Sequence, residues 1–129
     1  TGHADQAPRA AVGLGLLLAQ QGDPEGARAA YQHAIDSGHL NAAPKAAFNL
    51  GVLLAQQGDP EGARAAYQHA IDNDHPDAAP IAAVNLGLLL ARQGDPEGAR
   101  AAYQHAIDSG HPDAAPMAAN YLKVLLSDI

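Results

Sequence analysis

A block of 17 residues returns three times at one fixed interval, and that interval constrains the fold more than any other property of the chain. Residues 22–38 read GDPEGARAAYQHAIDSG, residues 94–110 repeat them letter for letter, and residues 58–74 end in ND in place of SG. Each copy begins 36 residues after the one before. A period between about 20 and 50 residues is the mark of a solenoid or array. In such an array each unit meets only its neighbours, so the core is a strip and not a ball. Without the repeat, 129 residues would read as one domain around a single core.

The capping chemistry divides each unit into two helices. Asp5, Asn41, Asp77 and Asp113 each stand three residues ahead of a proline, at Pro8, Pro44, Pro80 and Pro116. Asx residues are strong helix N-caps, and proline is tolerated in the first turn, where amides have no intrahelical acceptor. These residues are expected to open a first helix type, which ends near Gln21, Gln57 and Gln93 with Gly22, Gly58 and Gly94 just past the end. Asp23-Pro24-Glu25, Asp59-Pro60-Glu61 and Asp95-Pro96-Glu97 open a second type, with cap, N1 proline and an acidic residue at the positive helix end. The second helices end near Gly38, Asp74 and Gly110. Connections this short make neighbouring helices antiparallel. The expectation is an all-α chain of seven helices, in units 5–40, 41–76 and 77–112 plus a terminal capping helix over 113–129.

Periodicity assigns the faces. Ala63, Tyr67, Ala70 and Ile71 share one side of the second helix, away from Arg64 and Gln68. The first helix is apolar nearly all round, from Ala46 and Phe48 through Leu50, Val52 and Leu54, and must therefore be covered on several sides. With 47% hydrophobic but only 4% aromatic residues, the core is built from Ala, Leu, Val and Ile with backbones close together.

Leu50-Gly51 followed by Leu54, Ala63, Tyr67 and Ala70 resembles the tetratricopeptide repeat. The pattern recurs at Leu14-Gly15, Leu18, Ala27, Tyr31 and Ala34, and at Leu86-Gly87, Leu90, Ala99, Tyr103 and Ala106; Tyr121, Leu122 and Leu126 begin a fourth unit. The stretch AIDSGHPDAA also looks like Sel1-like repeats. The resemblance implies a right-handed α-solenoid that serves as a protein-interaction scaffold, with the first helices lining its concave face. Two departures stand out. The period is 36 where the family's usual length is 34, and its bulky aromatic early in the first helix is alanine here (Ala11, Ala47, Ala83, Ala119), which suggests a narrower groove. Lys123 replaces the glycine of the earlier units, as suits a last helix with no partner to admit, and that helix is expected to act as a polar cap.

On the concave face, Val12, Leu16, Phe48, Val52, Val84 and Leu88 form a second apolar stripe opposite the Leu-Gly face. Two readings stand: a groove for an extended or helical peptide, or packing against adjacent repeats. Asn49 and Asn85 flank the stripe. In peptide-binding members of the family, matching asparagines grip a ligand's backbone, since an amide is both donor and acceptor. The family's carboxylate clamp needs Lys and Asn where this chain has Val12, Leu16, Phe48 and Val52, so that mode is not expected. Arg9, Lys45 and Arg92 border the groove, either as solvated rim charges or as a preference for an acidic peptide.

Other function classes are weakened. A formal net charge of −7 disfavours nucleic acid and anionic membrane surfaces as partners. Absence of cysteine excludes disulfides and zinc-thiolate sites. No apolar run approaches the roughly 20 residues that span a bilayer; no leader peptide is recognisable, and a cytoplasmic setting is expected. The histidines follow the repeat, with His33, His69 and His105 on second helices and His39, His75 and His111, like His3, in loops. Equivalent positions lie about 10 Å apart, too far for one ion to collect several, so the reading is no metal and no cofactor, with a mixed loop–helix site as the residual candidate. Asp36, Ser37 and His39 suggest a hydrolase, but the second copy reads Asn73-Asp74-His75 and lacks the serine. Capping is the better account, and no enzyme is expected. The rival to a scaffold is a structural module. Near-identical copies are what recent duplication or consensus design produces, and an uncovered first end would self-associate.

Overall fold

The computed structural model describes residues 2–127, with side chains from Gln6 onward. Those residues form seven helices: α1 (Gly2–Gln20), α2 (Pro24–Asp36), α3 (Ala42–Gln56), α4 (Pro60–Asp72), α5 (Ala78–Arg92), α6 (Pro96–Ser109) and α7 (Ala114–Ser127). Each helix packs on the next, and α1, α3, α5 and α7 also pack on one another in sequence. The result is an all-α solenoid of antiparallel hairpins, with the odd-numbered helices forming one continuous layer.

The second helices start as their sequence dictates. The Oδ1 atoms of Asp23, Asp59 and Asp95 accept hydrogen bonds from the amides of Gly26, Gly62 and Gly98 at 2.9, 3.0 and 2.9 Å. Each bond satisfies one of the orphan donors at a helix start, and losing one costs about 1 kcal/mol. The first helices differ from expectation. Asn41 and Asp77 do occupy the N-cap positions of α3 and α5, but neither side chain caps its own helix. Helix α1 begins at Gly2, ahead of the expected Asp5, and runs through Pro8. The side chain of Asp5 lies outside the described residues, as does that of His3.

Gly38 and Gly110 close the second helices in the left-handed region, at φ of +68° and +70°. In the middle copy that position is Asp74, at φ +55° and the one non-glycine with positive φ among the described residues. An L-residue there is strained by roughly 1 kcal/mol.

Helix α3 shows how an all-round apolar helix is covered, since it touches α1, α2, α4 and α5. Ala46 and Ala47 in α3, like Ala82 and Ala83 in α5, are wholly buried. The alanines at 47 and 83 therefore lie within the core and do not wall a groove. Within each hairpin a tyrosine of the second helix lies over a glycine of the first. A Cβ on Gly15, Gly51 or Gly87 would fall inside the rings of Tyr31, Tyr67 and Tyr103 respectively. All three tyrosines are buried, and that burial pushes their phenols above the ordinary range.

The outermost helices have neighbours on one side only. Leu14 and Leu17 of α1 are 50% and 49% exposed, whereas their equivalents Leu50 and Leu53 are 6% and 7% exposed. Helix α7 presents Lys123 to solvent, but Val124 and Leu126 are exposed with it. Its outer face is therefore mixed and not the polar cap expected, because the residues that α6 does not cover keep the repeat's apolar pattern.

Gly51→Ala is expected to destabilise the chain even though alanine gains about 1 kcal/mol over glycine within a helix. Overpacking against a fixed ring costs about 1–3 kcal/mol. A thermal melt followed by circular dichroism checks this, and a melting point at or above that of the parent would refute the packing argument.

Candidate functional site

Across the layer of odd-numbered helices runs a chain of three adjoining hollows. The first is lined by Arg9, Val12, Asn41, Ala42 and Lys45 and has a volume of about 330 Å³. It shares Val12 and Lys45 with the second, about 300 Å³, where Leu16, Phe48, Asn49, Asp77 and Ile81 meet. Ile81 in turn leads into the third and largest, about 630 Å³, between Val84, Asn85, Asp113, Met117 and Asn120. Together they form a continuous groove over four helices.

Of the sequence-derived candidates, Val12, Leu16, Lys45, Phe48, Asn49, Val84 and Asn85 line these hollows. Val52 and Leu88 do not line them; both are half-buried and pack against the core, as the lining residues Val12 and Phe48 also do. Arg92 is absent from the lining too. It is exposed at the end of α5, where its charge acts on the buried phenols of Tyr67 and Tyr103. Asn85 is half-buried beside Tyr67, where its side chain offsets part of the rise that burial imposes on the phenol. Phe48 leans on the same tyrosine, with ring centroids 6.2 Å apart and a 42° tilt. Met117 and Asn120 were not anticipated as lining residues. The signal was present, since they stand one period after Ile81 and Val84, but assigning α7 the role of a cap concealed it.

Along one edge of the groove the loop histidines do work that the sequence reading assigned to the Asx residues. The Nδ1 atom of His75 accepts hydrogen bonds from the amides of Asp77 and Ala78, both at 3.1 Å. His39 does the same for Asn41 and Ala42 at 3.2 and 3.0 Å, and His111 for Asp113 and Ala114 at 3.2 and 3.0 Å. A backbone N–H can only donate, so Nδ1 must be unprotonated and the ring proton sits on Nε2. From there His75 donates to Oδ1 of Asn41 in the preceding repeat at 3.1 Å, and His111 to Oδ1 of Asp77 at 3.2 Å. Asn41 and Asp77 therefore do not cap their own helices because their side-chain oxygens are turned toward the next repeat's histidine. The imidazoles both cap a helix and join two repeats.

This arrangement also bears on the other readings. Among the described residues no group of three His, Cys, Asp or Glu side chains is placed to hold a metal ion. His33, His69 and His105 are exposed on the second helices, while His39, His75 and His111 are committed to backbone amides. Ser37 Oγ donates to the Ala34 carbonyl at 2.6 Å and accepts from the His39 amide at 3.1 Å. Asp36 accepts from Gln32 at 2.9 Å. The three residues are thus partners of a helix end and not of each other's side chains, which removes the geometry of a nucleophile and its base.

A family model described as tetratricopeptide repeat matches residues 3–39, 12–78 and 48–116. The chain is a tetratricopeptide repeat protein. The Sel1-like character of its loops remains a resemblance in sequence alone. No curated protein matches it in sequence. Its fold is similar to that of the Yersinia enterocolitica type III secretion translocator chaperone SycD, at 15% identity and a TM-score of 0.76, covering 93% of this chain and 83% of that one. PcrH, solved in complex with the chaperone binding region of PopD, aligns at 19% identity and a TM-score of 0.80 over 96% and 94% of the two chains. The N-terminal domain of stress-induced protein-1 from C. elegans aligns at 17% identity and 0.81 over 95% and 96%. No helix among the described residues of this tetratricopeptide array is long and apolar enough to cross a membrane.

The histidine joint is directly testable. His75→Ala removes two capping bonds and one bond between repeats, and is expected to cost about 1–3 kcal/mol. In the parent, long-range ¹H–¹⁵N correlation of the neutral rings should place the proton of His75 and His111 on Nε2. Finding the proton on Nδ1 would rule out the joint as described.

Proposed function

We propose that the chain is a protein-interaction scaffold that takes a segment of a partner, extended or helical, into the groove across α1, α3, α5 and α7. The supporting observation is the groove's composition. In a core otherwise dominated by alanine, Phe48, Ile81 and Met117 are large apolar side chains left part-exposed along one open surface. Contiguous apolar surface bordered by polar groups is what partner segments bury, at about 25 cal/mol per Å² before the costs of association. The amides of Asn49 and Asn85 supply donors and acceptors for a ligand backbone. PcrH, similar in fold, was solved in complex with the chaperone binding region of PopD, which is in keeping with such a role.

Peptides selected from a display library against the whole chain test the reading. Ile81→Asp, which puts a charge at the junction of two hollows, is expected to weaken selected binders at least tenfold, and Phe48→Ala to do so less strongly. Circular dichroism of each variant separates lost binding from lost fold. If the best binders retain their affinity for folded Ile81→Asp, the groove is not their site.

A further inference from the structure

One position in the first helix changes character along the array. Arg9, Lys45, Ile81 and Met117 are equivalents 36 residues apart. All four line the groove, in that order from its first hollow to its last. The groove thus begins with two exposed cations and continues with two apolar side chains. The Asx positions along its edge vary in the matching sense. Asn41, neutral, borders the hollow that holds both cations, whereas Asp77 borders the hollow shared by Lys45 and Ile81, and Asp113 the one between Ile81 and Met117. The carboxylate of Asp77 is 71% exposed even though one oxygen is held by His111, so its charge stays at the rim.

We propose that the groove reads polarity: its occupant is a segment with acidic side chains at one end and apolar side chains at the other. This rests on the groove reading above and adds the chemistry and the order of the ligand. The acidic end lies against Arg9 and Lys45, and the apolar end fills the hollows at Ile81 and Met117. Asp77 and Asp113 enforce the order, because the reverse placement sets carboxylates against carboxylates beside apolar surface. The overall charge of −7 does not cancel the local attraction, since charges are screened beyond about 8 Å at physiological salt. Packed helix axes are about 8–10 Å apart and an extended chain advances about 3.3 Å per residue. The recognised side chains therefore recur about every third residue: acidic, acidic, apolar, apolar.

The test uses a capped decapeptide, Glu-Ser-Ser-Glu-Ser-Ser-Leu-Ser-Ser-Leu, titrated into the ¹⁵N-labelled chain and followed by amide shifts, which register even millimolar binding. Three controls accompany it: Lys for both Glu, Ser for both Glu, and the same residues with Glu and Leu interleaved. The Glu peptide is expected to bind roughly tenfold more tightly than the Lys and interleaved peptides, the yield of two exposed charge pairs. In the Arg9→Glu/Lys45→Glu variant, whose changes are at exposed positions, the preference between Glu and Lys peptides should reverse. If the Ser and interleaved peptides bind the parent as well as the Glu peptide does, the polarity inference is overturned while the groove reading stands. If no peptide shifts groove amides in the parent, both fall.

Discussion

The rest of the fold depends on one steric fit, a tyrosine ring laid over a glycine. At Gly15, Gly51 and Gly87 the absence of a side chain lets the second helix bring its ring against the backbone of the first. The ring is buried, its phenol correspondingly reluctant to ionise, and the small residues around it bring the two helices close along their length. Every hairpin repeats this contact, so the hairpins share a shape, and identical shapes stack in register. The groove follows from that stacking, because it places equivalent positions of α1, α3, α5 and α7 side by side.

Stacking alone would leave the loop edge of each first helix with unsatisfied amides. The loop histidines meet that need with one nitrogen, and His75 and His111 use the other to reach the preceding repeat. Buried polar groups carry a penalty of about 1–3 kcal/mol when left unpaired; His75, the one buried polar side chain among the described residues, has both ring nitrogens occupied. The same residues that invite a metal or hydrolase reading in the sequence are thus consumed by structure. The loop histidines are held by backbone amides, whereas His33, His69 and His105 stay exposed on the second helices.

Much of the fold was legible because its determinants are local. Asp59-Pro60 starts α4 by a bond to an amide three residues on, and Gly51 and Tyr67 are read from a period that needs no knowledge of the partner. Non-local bonds were not legible. The pairing of His75 with Asn41 joins positions that no helix or turn rule connects, and the strong N-cap preference of Asx residues pointed the other way. At the groove, Phe48 was visible as part of the second apolar stripe, but Val52 and Leu88 share that stripe and line none of the hollows. Periodicity reports that a face is apolar; which of its residues stay open depends on how closely the neighbouring repeats approach. Met117 shows the converse, a lining residue hidden by an assumption about a terminal helix.

The joint between repeats is made by residues 34 apart, within a sequence that repeats every 36. One unit therefore encodes both halves of the joint, a histidine facing backward and an Asx residue waiting for the next histidine. Copying a unit in tandem creates a new boundary already fitted with its own fastener, with no compensating change elsewhere. Such a chain can lengthen by duplication without first passing through a poorly joined intermediate. Positions 9, 45, 81 and 117, which take no part in the joint, are then free to diverge one repeat at a time.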